Sequence, residues 1–342
     1  LLLQDARKAL SQGEFKAAII HIKNILKTQP DNLTARELLI DYYIHVGDGV
    51  SAEIEINKLL DSGVKNTYLL IARIRANLLQ GHFKAVTDQV NNIARTPPND
   101  IGRIRALQGQ AYLNQNKVSE AKNFFLRASK LAPNTFEVQV GLARLYELNN
   151  EMDKADQLIN QLEQQYPYEV DVLLLAGNKY RRNNQYTEAY TVFEKARTIQ
   201  PGNIAAWLGS IGALIANNDY DKANQYIIQV LKLDPEHELA NHLQAIIAYQ
   251  LKQYPTVEQS LRIIEKNNPN NKDILWLSGS LDFQQQRYQE AEDKLKEFVE
   301  LHPRHLPAIK TLSAVYLKRK QGYKVVQLLS PYAQSQDVQV MG

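Results

Sequence analysis

The chain has 342 residues, 44% of them hydrophobic and 23% charged, which is the composition of a globular chain able to bury a large core. Its 40 Lys+Arg against 37 Asp+Glu leave a net charge of +3, too even to form the footprint that displaces counterions from phosphates, so no nucleic-acid partner is expected. Without cysteine there is no disulfide, no thiolate zinc site and no thiol nucleophile.

No apolar run approaches the roughly 18 residues of a membrane span, and Leu1, Leu2 and Leu3 lead straight into charged residues. The chain starts without Met, and we expect it to be a processed or trimmed piece of something longer.

From the N-terminus onward, one arrangement recurs. Residues 1–32 end at Pro30. Residues 33–66 carry Val64 in the slot where a proline is due, and 67–101 contain Pro98. The units 102–135, 136–169, 170–203, 204–237, 238–271 and 272–305 close on Pro133, Pro167, Pro201, Pro235, Pro269 and Pro303, each 34 residues apart, and 306–342 completes the series. Twelve residues before each slot stands Ala18, Ala52, Val86, Ala121, Ala155, Ala189, Ala223, Val257 or Ala291, never anything larger than Val. Three residues earlier comes a bulky apolar side chain, such as Phe15, Phe83, Tyr186 or Tyr288; Gly49 breaks this rule in the second unit.

Within each unit, apolar residues at i, i+3, i+4 and i+7 predict two helices, divided by a polar turn such as Asn183-Asn184 or Asn217-Asn218. The proline lacks an N–H and disfavours a helical residue before it, so the second helix is expected to stop there. The small residues have a packing reason: antiparallel helices approach closely only where one presents little side chain. Gly109, Ala143, Gly177, Ala245 and Gly279 supply matching small residues on the first helices, and Tyr112, Tyr146, Tyr180 and Tyr316 follow three positions later.

A period of 34 with these marks resembles the tetratricopeptide repeat (TPR), with Gly177, Tyr180, Ala189, Phe193, Ala196 and Pro201 in the family's positions within 170–203. The resemblance implies an all-α fold, a right-handed superhelix of about ten hairpins forming a single continuous solenoid over 1–342. The last unit would expose Val325, Val326, Leu328 and Leu329 around 321–333, which leads us to expect that the natural protein continues past Gly342. Residues 12–39 and 47–64, with the turn Gly63-Val64, also resemble the opening repeats of TPR lipoproteins of bacterial PEP-CTERM and exopolysaccharide systems. That second resemblance implies a Gram-negative protein on the periplasmic side of the outer membrane, held there by a lipid anchor outside this chain, with a role in protein sorting or polysaccharide assembly.

No phosphate loop, G-x-S-x-G elbow or H-E-x-x-H motif occurs, so neither an enzyme nor a cofactor is expected. His302 and His305 flank Pro303 at a spacing that could ligate a metal, but they lack a sequence-near carboxylate and read as a surface turn. The TPR resemblance implies binding on the concave face, at positions 2, 5, 9 and 12 of each first helix. These give a polar set, Arg75, Arg103, Arg144, Asn178, Arg181 and Arg182, interleaved with Glu137, Glu147 and Asp171. They also give an apolar set, Leu208, His242, Ile246, Tyr249, Trp276 and Phe283. The arginines are either neutralised by the interleaved acids or free to grip carboxylates. The aromatics either tighten the wall or dock a peptide segment or sugar rings. The expected function is a non-catalytic scaffold for protein or peptide partners, with polysaccharide as a further ligand class. A cytosolic chaperone or secretion adaptor, or the TPR arm of a glycosyltransferase, is the alternative.

Overall fold

The computed structural model describes residues 2–88 and 96–332, and the described residues form twenty α-helices and no strand. They gather into two compact units, 1–210 and 211–342, with the boundary inside helix Ile204–Ala216.

The predicted hairpins are present in both units. First helices such as Thr67–Leu79, Val170–Arg182 and Glu238–Gln250 are 13 residues long, and second helices such as Val118–Leu131, Tyr186–Ile199 and Tyr288–Leu301 are 14. Second helices end two residues ahead of Pro30, Pro133, Pro167, Pro201, Pro235, Pro269 and Pro303, as the missing N–H requires. Pro98 departs from that expectation. It opens helix Pro98–Asn114 at the first position, where its N–H is not missed, and makes this helix a turn longer than its counterparts.

Each hairpin turn contains one left-handed residue. Gly13, Gly47 and Gly81 take it in the first three units, then Asn116, Asn150, Asn184, Asn218, Lys252, Gln286 and Lys320 in the remaining seven. The following N–H reaches back five residues, as Gln185 N to Tyr180 O at 2.8 Å, and satisfies a carbonyl the helix end would orphan. At the proline-less second unit Gly63, at φ +87°, makes the same closure, with Val64 N on Leu59 O at 3.0 Å.

The nine small positions Ala18 through Ala291 all have zero exposure, so any added atom there must displace a neighbouring helix. Larger side chains mesh with equal economy. Phe125 fills space left by Gly109 and Gly141: a Cβ built on either would stand 2.6 Å from its ring. Phe193 sits likewise between Gly177 and Gly209, at 2.5 and 2.4 Å. Where the same position carries Ile159 or Leu261, the flanking residues are Ala143 with Leu175, and Ala245 with Leu277. Volume is thus conserved layer by layer. Gly141 and Gly209 were not among the sequence-singled residues, although each lies sixteen residues past its Phe.

In the last hairpin, helix Gly322–Leu329 leaves Val326 71% exposed, whereas Val325, Leu328 and Leu329 pack onto the core of Leu295, Phe298 and Leu312. The expected four-residue exposure is therefore reduced to one of those four side chains.

Candidate functional site

The unit 1–210 closes on itself, because its first hairpins meet its last. Phe15 joins the cluster of Val170, Leu173, Ala196 and Ile199. The Tyr168 ring lies over Gly13, whose Cβ would be 2.5 Å away, and the Gln200 side chain covers Gly47 while donating Nε2–H to His45 O at 2.9 Å. His45 stands in the seam, with Nε2 3.2 Å from Tyr168 O and Nδ1 3.4 Å from Glu169. Glu169 in turn lies 3.9 Å from Arg75. The repeat period carries no signal for which loops meet across a ring, and none of Tyr168, Gln200 and His45 was anticipated.

Closure leaves an open-mouthed cavity of about 490 Å³. Leu78, Leu107, Phe136, Val140 and Leu174 supply apolar wall; Arg75, Arg144, Glu137, Glu169 and Asp171 supply charge. Arg75, Arg144, Glu137 and Asp171 come from positions 2 and 9 of successive first helices, where a 13-residue helix turns both toward the inner face, and Glu169 stands just ahead of helix Val170–Arg182. The polar set is brought together only in part. Arg103 forks onto Glu137 through Nε and Nη2, both at 2.9 Å. Arg144 donates to Gln110 and, at 2.7 Å, to Asp171. Arg182 pairs with Glu147 and with Asp156, while Arg181 reaches Asn178 at the exposed rim. Arg75 differs from the paired arginines: among the described residues its contact is the loose one to Glu169.

Burial by itself would raise the Glu137 carboxyl, but the Arg103 hydrogen bonds and the Arg75 and Arg103 charges outweigh it and hold the group below the usual carboxylate range. Asp41 goes the other way, since burial pushes it up more than Tyr68, Arg75 and His45 pull it down. Its geometry agrees. Tyr68 has one O–H and two oxygens in reach, Glu37 O at 2.8 Å and Asp41 Oδ1 at 2.9 Å. One O–H shared between two acceptors does little to hold the Asp41 carboxylate in its charged form.

Leu208, in the first unit, is half-buried. The rest of the apolar set lies in the second unit and is also half-buried: His242, Ile246 and Tyr249 on helix Glu238–Gln250, Trp276 and Phe283 on helix Leu275–Gln284. Trp276 packs against two cores at once, that of Leu261 and Leu277 and that of Leu295 and Phe298, and its ring lies 4.7 Å from His305. Burial, with Asp273 and Glu238 opposing it, lowers the His242 pKa; burial and then the neighbouring His302 lower that of His305. His302 lies tilted against Phe298 at 4.5 Å and His305 meets it edge-on at 5.1 Å, and His305 Nδ1 caps the next helix by accepting from Ala308 N.

Residues 107–170 and 180–247 each match a model of the tetratricopeptide repeat. A stretch of 251 residues is 23% identical to human protein O-mannosyl-transferase TMTC3, covering 68% of this chain and 27% of that protein. Another of 206 residues is 25% identical to anaphase-promoting complex subunit CDC16 of Saccharomyces cerevisiae, covering 58% and 24%. The chain spans 20% to 27% of the length of the curated relatives it matches. Among solved structures, the anaphase-promoting-complex hetero-tetramer Cut9–Hcn1 superposes with a TM-score of 0.55 at 14% identity, over 99% of this chain and 88% of that one. Human IFIT1 does so with a TM-score of 0.54 at 13% identity, over 95% and 87%. The chain thus carries tetratricopeptide repeats, and its fold is that of a protein-interaction scaffold.

Proposed function

We propose that the chain is a non-catalytic scaffold that captures a protein or peptide segment along the inner row of its second unit. One observation carries the reading. His242, Ile246, Tyr249, Trp276 and Phe283 remain partly exposed although the hairpin cores behind them are already closed by Ala245, Ala248, Leu277 and Leu281. Surplus apolar surface at complete cores is what a docking site needs. A photo-crosslinking amino acid at Tyr249 should label a protein partner in cells, and one at Ile228, exposed on a second helix, should not. Equal labelling from both positions, or none from Tyr249, would remove the row as the docking site.

The resemblance of residues 12–39 and 47–64 supports seating this scaffold on the periplasmic side of an outer membrane, in polysaccharide assembly or protein sorting. Fractionation of cells expressing the complete reading frame tests that seat, and a cytosolic signal would favour the chaperone-adaptor reading. The match to an O-mannosyl-transferase favours a further reading, the repeat arm of a larger glycosyltransferase. A transferase domain elsewhere in the reading frame would decide for it.

A further inference from the structure

The cavity of the first unit lies outside the docking reading, which concerns the second, so either can fail alone. Its size is the first argument. A helix about 10–12 Å across would fill 490 Å³ within roughly one turn, so the cavity fits a helical segment poorly, whereas pockets of about 300–1,000 Å³ hold small molecules.

The second argument is charge. Arg103 and Arg144 have their donors occupied by Glu137, Gln110 and Asp171, while Arg75 has a planar fork of donors and a carboxylate no nearer than 3.9 Å. Glu169 is only partly committed to Arg75, because His45 offers it a contact at 3.4 Å. An incoming carboxylate can take Arg75 in bidentate fashion and leave Glu169 on His45. Glu137, Glu169 and Asp171 also line the cavity and would repel a second negative charge. Leu78, Leu107 and Leu174 offer the remaining wall to an apolar tail.

We propose that the cavity of residues 1–210 binds a small monocarboxylate with an apolar tail, its carboxylate on Arg75. Calorimetric titration of the full chain with decanoate, decanol and decanedioate tests it. Decanoate should bind one to one, and decanol and decanedioate more weakly. Arg75→Gln should weaken decanoate about tenfold or more, the loss of a charge-assisted contact. Glu169→Gln should tighten it several-fold, by removing the internal carboxylate that competes for Arg75. Leu107→Trp, which fills the wall, should abolish binding in a chain that keeps its helical circular dichroism and its melting temperature. That opposition between two variants on one contact is not produced by general loosening of the fold. Decanol or decanedioate binding as tightly as decanoate, weaker binding by Glu169→Gln, or unchanged binding by Leu107→Trp would each overturn the proposal.

Discussion

The two units build the same hairpin with different fillings. In residues 1–210 the inner face carries Asp41, Tyr68, Arg75, Arg103, Glu137, Arg144 and Asp171, and the layers of Phe125 and Phe193 are relieved by glycines. In residues 211–342 Ile246 stands at the repeat position of Arg75 and Arg144, Trp276 at the fifth place and Tyr249 and Phe283 at the twelfth of their repeats, and the layer positions hold Ile227, Leu261 and Leu295. The skeleton is insensitive to this exchange because both units keep the small positions and one left-handed residue in each hairpin turn, which set helix approach and chain reversal. Chemistry can therefore vary on the inner face without cost to the fold.

Breaking the charge ladder should have the largest effect. Glu137 has a side chain 6% exposed, and Arg103→Leu would leave its carboxylate buried with one partner lost, at a cost of about 3 kcal/mol in urea denaturation at neutral pH. The sign with pH follows from the lowered Glu137 pKa: its contribution is present above the unfolded-state pKa and is lost as pH falls through the folded one. The gap between variant and parent should consequently narrow in acid. A gap that does not change between neutral and acid pH would show that Arg103 acts through its aliphatic stem.

Overpacking a glycine layer should cost slightly less. Gly209→Leu drives a side chain into the Phe193 ring, for about 2–3 kcal/mol. Adding Phe193→Ile, which copies the aliphatic layers elsewhere in the chain, should restore most of that loss. Failure of the second substitution to rescue the first would mean that the layers are not interchangeable.

A smaller, opposite effect is expected at Asp41. Its raised pKa means stability is full below the unfolded-state pKa, about 4, and is lost as pH rises through the folded one. Asp41→Asn removes the buried charge while keeping a side-chain oxygen to accept from the Tyr68 O–H, and should stabilise the chain by about 1 kcal/mol near neutrality, with no gain in acid. A loss of stability at neutral pH would mean that the carboxylate is wanted as a charge beside Arg75.

Much of this fold was legible in the sequence because repeats state their core positions ten times over. Ala18 through Ala291 could be placed without any structure, and so could the turns at Asn183-Asn184 and Asn217-Asn218. Ring closure could not be read, since it depends on how small rotations add over six hairpins and leaves its marks on isolated residues such as Gly13, Gly47 and Gln200. The inner-face residues were legible as positions but not as partners: Arg75 and Arg103 look equivalent in the sequence, and only the placement of Glu137 and Glu169 separates them. Pro98 kept its register and changed its role, because a 35-residue spacing to Pro133 moved it from a helix end to a helix start.

The finest test compares the turns. Gly13, Gly47 and Gly81 hold the left-handed position in the first unit without strain, whereas Lys252, Gln286 and Lys320 hold it in the second with φ of about 60°. A side chain in that conformation costs about 1–2 kcal/mol, and glycine returns roughly 0.5–1 kcal/mol of this as extra freedom in the unfolded chain. Gln286→Gly should therefore stabilise by about 0.5 kcal/mol. Asn218→Gly should change almost nothing, because asparagine tolerates the left-handed region better than other side chains. Gly47→Ala should run the other way and lose more than Gln286→Gly gains, since its new Cβ meets backbone strain and stands 3.2 Å from the Gln200 side chain that closes the ring. Thermal unfolding of the three variants side by side gives the order Gln286→Gly above Asn218→Gly above Gly47→Ala. If Gly47→Ala is neutral, the Gln200 contact contributes nothing to closure, and the seam must be held by Phe15 and Tyr168 alone.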